Sequence, residues 1–514
     1  MIVWMIDLKI ISLLFNAKQG VDLEIERKKY WLLLYGLIIG VIFDILFYNK
    51  TLGISYPIFI LLIIAVLILI FLKTYRDLEK KAWIWIAPVI LLSITFSIYS
   101  NQILKILNLM IIPYLVIMLA ASVSKLNRAD WADLRFLADF FKRVFVPLKY
   151  IRMPFIAFFN MTGGKEGKRG KIASRIALGL IISIPILAVI IWLLSSADIV
   201  FKDVFLDIPI SKIIKHFFII LAISVYAICF FWSILKSYDE EKKPAYPKIN
   251  WKKFLDPVVL ITIISLLNIV YTVFSVIQFT YLFWGESFVL PSSYTYAEYA
   301  RRGFFELLAV TIINFIIILI AVSFIRKENR KLHLASKILL SLLVGFTFVL
   351  LISAFYRMLI YEQAYGFTYL RIFVQAFMVL LFFLFIINII YIWYTKLPII
   401  KSYFVVTLIV YIVLNFSNVD LIITRNNIDR YIETGQIDME YLKGLSYDAI
   451  PEMQRLIDID LKNENIYGVK HEDIKNGILV FFNDKKLELD TQEHWQSFNI
   501  SRYRASGTVY KFLK

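Results

Sequence analysis

Apolar runs of about 20 residues recur along the whole chain, and no other feature narrows its fold so far. A run of that length crosses the ~30 Å hydrocarbon core of a bilayer as an α-helix, whose backbone satisfies its own hydrogen bonds without water. Eleven such runs are readable: 30–48, 54–72, 82–100, 103–122, 174–194, 214–235, 257–284, 304–325, 338–358, 371–394 and 403–417. Charged residues make up 18% of the chain, against about 25% in soluble proteins. The pattern predicts an all-α polytopic membrane protein with about eleven transmembrane helices and excludes a soluble globular fold.

The net charge of +17 would point to nucleic acid in a soluble protein, but its placement excludes that partner. The loops 1–29, 73–81, 123–173, 236–256, 326–337 and 395–402, with Arg175, hold 34 Lys and Arg residues; the alternate loops and helix ends hold nine. Basic residues stay on the cytoplasmic side because translocating them is unfavourable. The N-terminus is therefore expected inside, and an odd helix count puts the C-terminal segment outside. The partners implied are membrane lipids, through anionic headgroups at the basic loops. A membrane protein partner or a homo-oligomer is left open. The start, "MIVWMIDLKIISLLF", carries Asp7 and Lys9 and lacks a small-residue cleavage site, so the first spanning helix is read as an uncleaved anchor. The single cysteine, Cys229, lies within an apolar run, which excludes an intrachain disulfide.

Five regions follow: a cytoplasmic segment 1–29, four helices over 30–122, a cytoplasmic loop 123–173, a seven-helix core 174–417, and a polar domain 418–514. In the loop, Trp131, Leu134, Leu137, Ala138 and Phe141 recur on one helical face, as in a helix lying on the inner leaflet or packed beneath the bundle. The stretch "MTGGKEGKRGK", 161–171, lacks the phosphate-loop spacing and reads as a basic linker. The polar domain is net acidic and reads as α-rich, or α+β with strands near the end. Gly444 is expected to stop one short helix and Ser446 to cap the next.

Ionisable residues at membrane depth are costly and usually face the bundle. The densest grouping is "SSYTYAEYARRGFFELL", 292–308. Thr295 and Glu298 match a capping box, and Glu298, Arg302 and Glu306 stack one turn apart on one face, with Arg301 off it and Gly303 beside it. Asp44, Asp198, Glu286, Glu362, Arg357 and Arg371 complete an expected polar layer on the outer side. Arg302, Arg357 and Arg371 need acidic partners there; for Arg357, Glu306 is the first choice and Asp198 the second. Such pairs fix helix register and loop geometry, form a binding or translocation site, or, last, serve catalysis. Gly366 and Thr368 are expected to end one helix and cap the next, between Arg357 and Arg371. The histidines His216, His333, His471 and His494 are scattered without metal-ligand spacing, so no metal, catalytic residue or cofactor is assigned.

Six stretches carry a resemblance: "SSADIVF", "YAEYARRGFFEL", "YRMLIYEQAYGFTYLR", "NVDLIITRNNIDR", "DMEYLKGLSYDAIPEM" and, nearer the end, "HWQSFNISRYRA". In this order they resemble a widespread bacterial family of multipass membrane proteins catalogued as a domain of unknown function, over about residues 170–460. The resemblance implies residence in the bacterial cytoplasmic membrane and carries over no catalytic residues. The function expected first is non-enzymatic sensing, envelope regulation or scaffolding. Second comes transport or lipid handling, and last a transferase using a lipid-linked donor, whose donor-binding loop would not fit the short "NKTLG".

Overall fold

A computed structural model describes residues 31–74, 84–123, 143–162, 210–240, 255–283, 296–326, 329–458, 471–490 and 494–513, with isolated positions between 179 and 198. The expected fifth span, the loop helix at 129–142, the linker beyond Thr162 and the N-terminal segment lie outside the described residues or nearly so. Among the described residues every regular element is helical. Among these residues seven helices are long and apolar enough to cross a membrane: Gln102–Ser122, Lys215–Lys236, Pro257–Gln278, Gly303–Phe324, Arg330–Tyr365, Tyr369–Trp393 and Ile399–Phe416. Trp31–Phe47, Ser55–Ile70 and Ile86–Ile98 are apolar but shorter. Ten of the eleven predicted runs are helical among the described residues, the eleventh lying almost wholly outside them, and in three of the ten the described apolar helix is 10–17 residues long.

The chain divides into two compact units. The first holds α1 (Trp31–Phe47), α2 (Ser55–Thr74), α3 (Ile86–Ile98) through Ser97, α4 (Gln102–Val123) from Leu109 on, α5 (Met153–Thr162), α6 (Ile210–Glu240) and residues 493–498. Gly36 and Gly40 let α1 lie directly on α6: a Cβ on Gly36 would strike Ile228, and one on Gly40 would strike Ser224 and the Ile220 carbonyl. Small residues four apart allow such an approach, and van der Waals packing then holds the pair. The α1–α2 turn is tied to residues 496–498. Ile54 N–H donates to Phe498 O at 2.9 Å, Thr51 N–H to Ser497 Oγ at 3.1 Å, and Gln496 Nε2 to Ile45 O at 3.2 Å.

The second unit holds residues 98–108, 246–492 and 499–514. Its membrane helices are α7 (Pro257–Phe283), α8 (Tyr296–Phe324), α9 (Arg330–Tyr365), α10 (Tyr369–Trp393) and α11 (Ile399–Phe416). The helix α8 is described from Tyr296 on, and the expected cap Thr295 lies outside the described residues. One core, built on Ile264, Phe304, Leu343, Ala354 and Phe385, joins α7 to α10. A second core gathers Leu104 of α4 with Ile423, Ile450, Leu456, Phe482 and Val509. These come from α12 (Val419–Thr434), α14 (Ile450–Met453), α15 (Arg455–Asp458), α16 (His471–Leu489) and α17 (Ile500–Phe512), with the short α13 (Met439–Lys443) before α14. The strands expected near the C-terminus are instead the helix α17, started by the Asn499 side chain on Arg502 N–H. Its buried residues Ser501, Ala505 and Val509 are spaced four apart, a helical period rather than the alternation of a strand. Gly444 and Ser446 punctuate the chain as expected, Ser446 capping a 3-10 turn at Tyr447–Ala449.

Candidate functional site

The hairpin between α9 and α10 begins where α9 leaves its last carbonyls without helical partners. Gly366 has φ +84°, which a glycine adopts without steric cost, and its N–H closes back on Glu362 O at 2.7 Å. The remaining groups are taken by side chains from α10 and α12. Arg430 donates from Nε to Gln363 O at 2.8 Å and from Nη2 to Ala364 O at 2.6 Å. Arg371 Nη1 donates to Gly366 O, and its guanidinium lies 4.4 Å from the Tyr361 ring centre. Asn427 holds both sides of Phe367, accepting from its N–H at 2.9 Å and donating to its carbonyl at 2.8 Å. Cationic groups also suit this end of α9, where the helix dipole is negative. Burial, and then the nearby charge of Arg371, lowers the Arg430 pKa. Behind the hairpin, buried Glu362 accepts from Gln375 Nε2 of α10 at 2.5 Å, within reach of the Arg371 charge.

One turn before Thr424 and two before Asn427 along α12 sits Asp420, buried in the same helical face. Its Oδ2 accepts from Asn101 Nδ2 at 2.6 Å, and its Oδ1 from the Tyr369 hydroxyl and from Ser446 N–H at 3.3 Å. Burial raises its pKa above the usual aspartate value, while the Tyr369 and Asn101 hydrogen bonds oppose the rise. A second buried carboxylate, Asp448, accepts through Oδ2 from Ser100 N–H at 2.6 Å, Ser100 Oγ at 3.0 Å and Ser446 Oγ at 3.1 Å. Ser100 Oγ also meets Ser501 Oγ at 3.0 Å, and Asn499 Nδ2 donates to Tyr99 O at 2.9 Å. Tyr441 closes the set: its hydroxyl accepts from Tyr369 N–H at 2.8 Å. These bonds hold the carboxylates with neutral donors and spend the arginines on backbone carbonyls. Chemically this is a clasp between helix ends.

Of the residues singled out from sequence, Glu362, Gly366 and Arg371 lie in this clasp. Arg357 lies on α9 with its guanidinium over Gly303 of α8, where a Cβ would collide with Nη1. Glu306 faces outward from α8. Glu298, Arg301 and Arg302 occupy the first turns of α8, and their side chains are outside the described residues. In the first unit, Asp44 of α1 is buried and meets His216 Nδ1 of α6 at 2.6 Å, with the Tyr48 ring 4.1 Å from the imidazole. Asp198, also in the first unit, is exposed. Cys229 is buried within α6. Among the described residues no group of three or more His, Cys, Asp or Glu could hold a metal.

Sequence reasoning missed Asp420, Asn427, Arg430, Asp448, Asn101 and Ser100. A signal was present: Asp420, Thr424, Asn427 and Tyr431 are spaced four, three and four apart, a polar stripe on one face of a helix. Four of the stretches that carried the resemblance meet in this clasp. "YRMLIYEQAYGFTYLR" brings Glu362, Gly366 and Arg371, and "NVDLIITRNNIDR" brings Asp420, Asn427 and Arg430. "DMEYLKGLSYDAIPEM" brings Tyr441 and Asp448, and "HWQSFNISRYRA" brings Asn499 and Ser501.

Neither the curated proteins nor the solved structures contain a match to this chain. A family model described as domain of unknown function (DUF4153) matches residues 86–456, starting well before the resemblance read from the motifs. The match covers α3 through α14 and most of the clasp, and the chain belongs to the DUF4153 family.

Proposed function

We propose that this chain is a non-enzymatic sensor or scaffold of the bacterial cytoplasmic membrane, whose region 418–514 lies outside and acts on the membrane helices through the α9–α10 hairpin. The observation that carries this reading is the grip of α12 on that hairpin: Arg430 on the Gln363 and Ala364 carbonyls, and Asn427 on both sides of Phe367. A guanidinium fork matches two carbonyls in a way that a lysine ammonium does not, so the contact is sensitive to angle as well as distance. Anything that shifts α12 must therefore loosen or tighten the end of α9. Hydrogen exchange on the full-length protein tests this. Arg430→Ala should speed amide exchange across 363–369 at least tenfold while leaving the α16–α17 amides unchanged. Equal exchange in wild type and variant would remove the coupling.

A carrier for a lipid or small ion is the second reading. Glu362 favours it: the carboxylate is buried between α9 and α10, and its Oε1 has no partner among the described residues. Liposome flux that is above background and lost in Glu362→Gln would move the assignment to this reading.

A further inference from the structure

At the end of α9 opposite the hairpin, three helix ends surround a cavity of about 250 Å³. Ser323 comes from the end of α8, His333, Ser336 and Lys337 from the first turns of α9, and Tyr391 and Thr395 from the end of α10 and just past it. The volume corresponds to about eight waters at ~30 Å³ each, room for a phosphate and a small alcohol. Among the described residues lining it none is acidic. Ser336 Oγ is spent on Leu332 O at 2.9 Å, but the hydroxyls of Ser323, Tyr391 and Thr395 can donate. Lys337 is half-buried with its Nζ 5.7 Å from the Trp393 ring centre, which holds the ammonium beside the cavity while the Trp393 indole donates to Ser341 Oγ at 3.0 Å. A parallel backbone pair fixes this end of α8: Leu255 N–H donates to Phe324 O and Arg326 N–H to Leu255 O, both at 3.1 Å. The neighbouring carboxylate of Asp256 is engaged elsewhere, capping α7 through Val258 N–H at 2.7 Å.

We infer that this cavity is a binding site for a phosphate group, taken from an anionic phospholipid headgroup or from a soluble phosphate. Lys337 supplies the charge. Hydroxyls from the ends of α8 and α10 and from Thr395 just past α10 close on the remaining oxygens, a mix of one strong cation and several donors that suits a tetrahedral anion. Basic pockets between membrane helices take lipid headgroups by the same chemistry. The site is independent of the clasp, about 40 Å away along α9 at 1.5 Å per residue.

The test is native mass spectrometry of the full chain released from nanodiscs of equal phosphatidylglycerol and phosphatidylcholine, with and without inorganic phosphate. Wild type should retain phosphatidylglycerol at least fivefold over phosphatidylcholine. Lys337→Gln and Thr395→Asp should each abolish that preference, while Lys331→Gln, an exposed lysine on the same helix end outside the cavity, should keep it. Thr395 is exposed, so its aspartate variant introduces repulsion without disturbing a core. If phosphatidylglycerol shows no preference but inorganic phosphate binds wild type and not the two cavity variants, the site stands and its ligand is soluble. Retention that is equal in wild type, Lys337→Gln and Thr395→Asp, with no phosphate binding, overturns the inference; so does an equal loss in Lys331→Gln, which would mark nonspecific attraction.

Discussion

Asp420 shows how much one buried carboxylate can ask of its surroundings. Three donors converge on it, from Asn101, Tyr369 and Ser446, and burial still raises its pKa. Its proton is held more tightly in the folded chain than in the unfolded one. Stability therefore falls as pH rises above the usual aspartate range, and levels off once the folded carboxyl has ionised. Asp420→Asn should flatten that dependence above the usual aspartate range in thermal unfolding. It should also cost about 1–3 kcal/mol, because an NH2 group replaces an acceptor that faces donors. Gly366 makes a second residue-scale case. A Cβ there would sit 2.5 Å from Asn427 Oδ1 at φ +84°, so Gly366→Ala combines backbone strain with a broken clamp. A destabilisation of about 1–3 kcal/mol is expected in the same unfolding assay.

Among the elements, helices were legible and their partners were not. The apolar runs located α6 to α11 to within a few residues at most ends, because burying an unsatisfied backbone in lipid is too costly for any alternative. The turn at Gly366 and the start of α10 after Thr368 were also legible, although the Thr368 side chain makes no capping hydrogen bond. The clasp was not legible because its bonds join residues far apart in the chain, such as Ser100 with Asp448 and Asn101 with Asp420. Spacing within one helix shows which face is polar, never which distant segment answers it. Of the arginines for which acidic partners were expected, Arg371 donates to the Gly366 carbonyl with Glu362 within reach of its charge, and Arg430, not among them, answers carbonyls at the same helix end. Two glycines four apart in "GLIIG", 36–40, mark a face of α1 open to close approach, without showing that α6 fills it. Gly40→Leu should force the two helices apart and lower the unfolding temperature, a cost of about 1–3 kcal/mol for overpacking.

For the whole molecule, the region after α11 shares a core with Leu104 of α4 and with Phe367, Tyr369, Ile372 and Phe373 at the hairpin. Cutting the chain after Ser417 would leave that apolar surface uncovered. The truncated protein should aggregate on extraction, read as loss of the monodisperse peak in size-exclusion chromatography. A reporter fused at Lys514 should be active only outside the cytoplasm; cytoplasmic activity would invert the proposed topology. The long helix α9 links these scales. Its 36 residues make a rod of about 54 Å, well beyond the ~30 Å hydrocarbon core. A rod that overshoots the bilayer must tilt or project, and the balance shifts with bilayer thickness. Thickness is thus a mechanical input that α9 delivers at both ends together, altering the angle at which Arg430 meets its carbonyls and the depth at which Lys337 meets the interface.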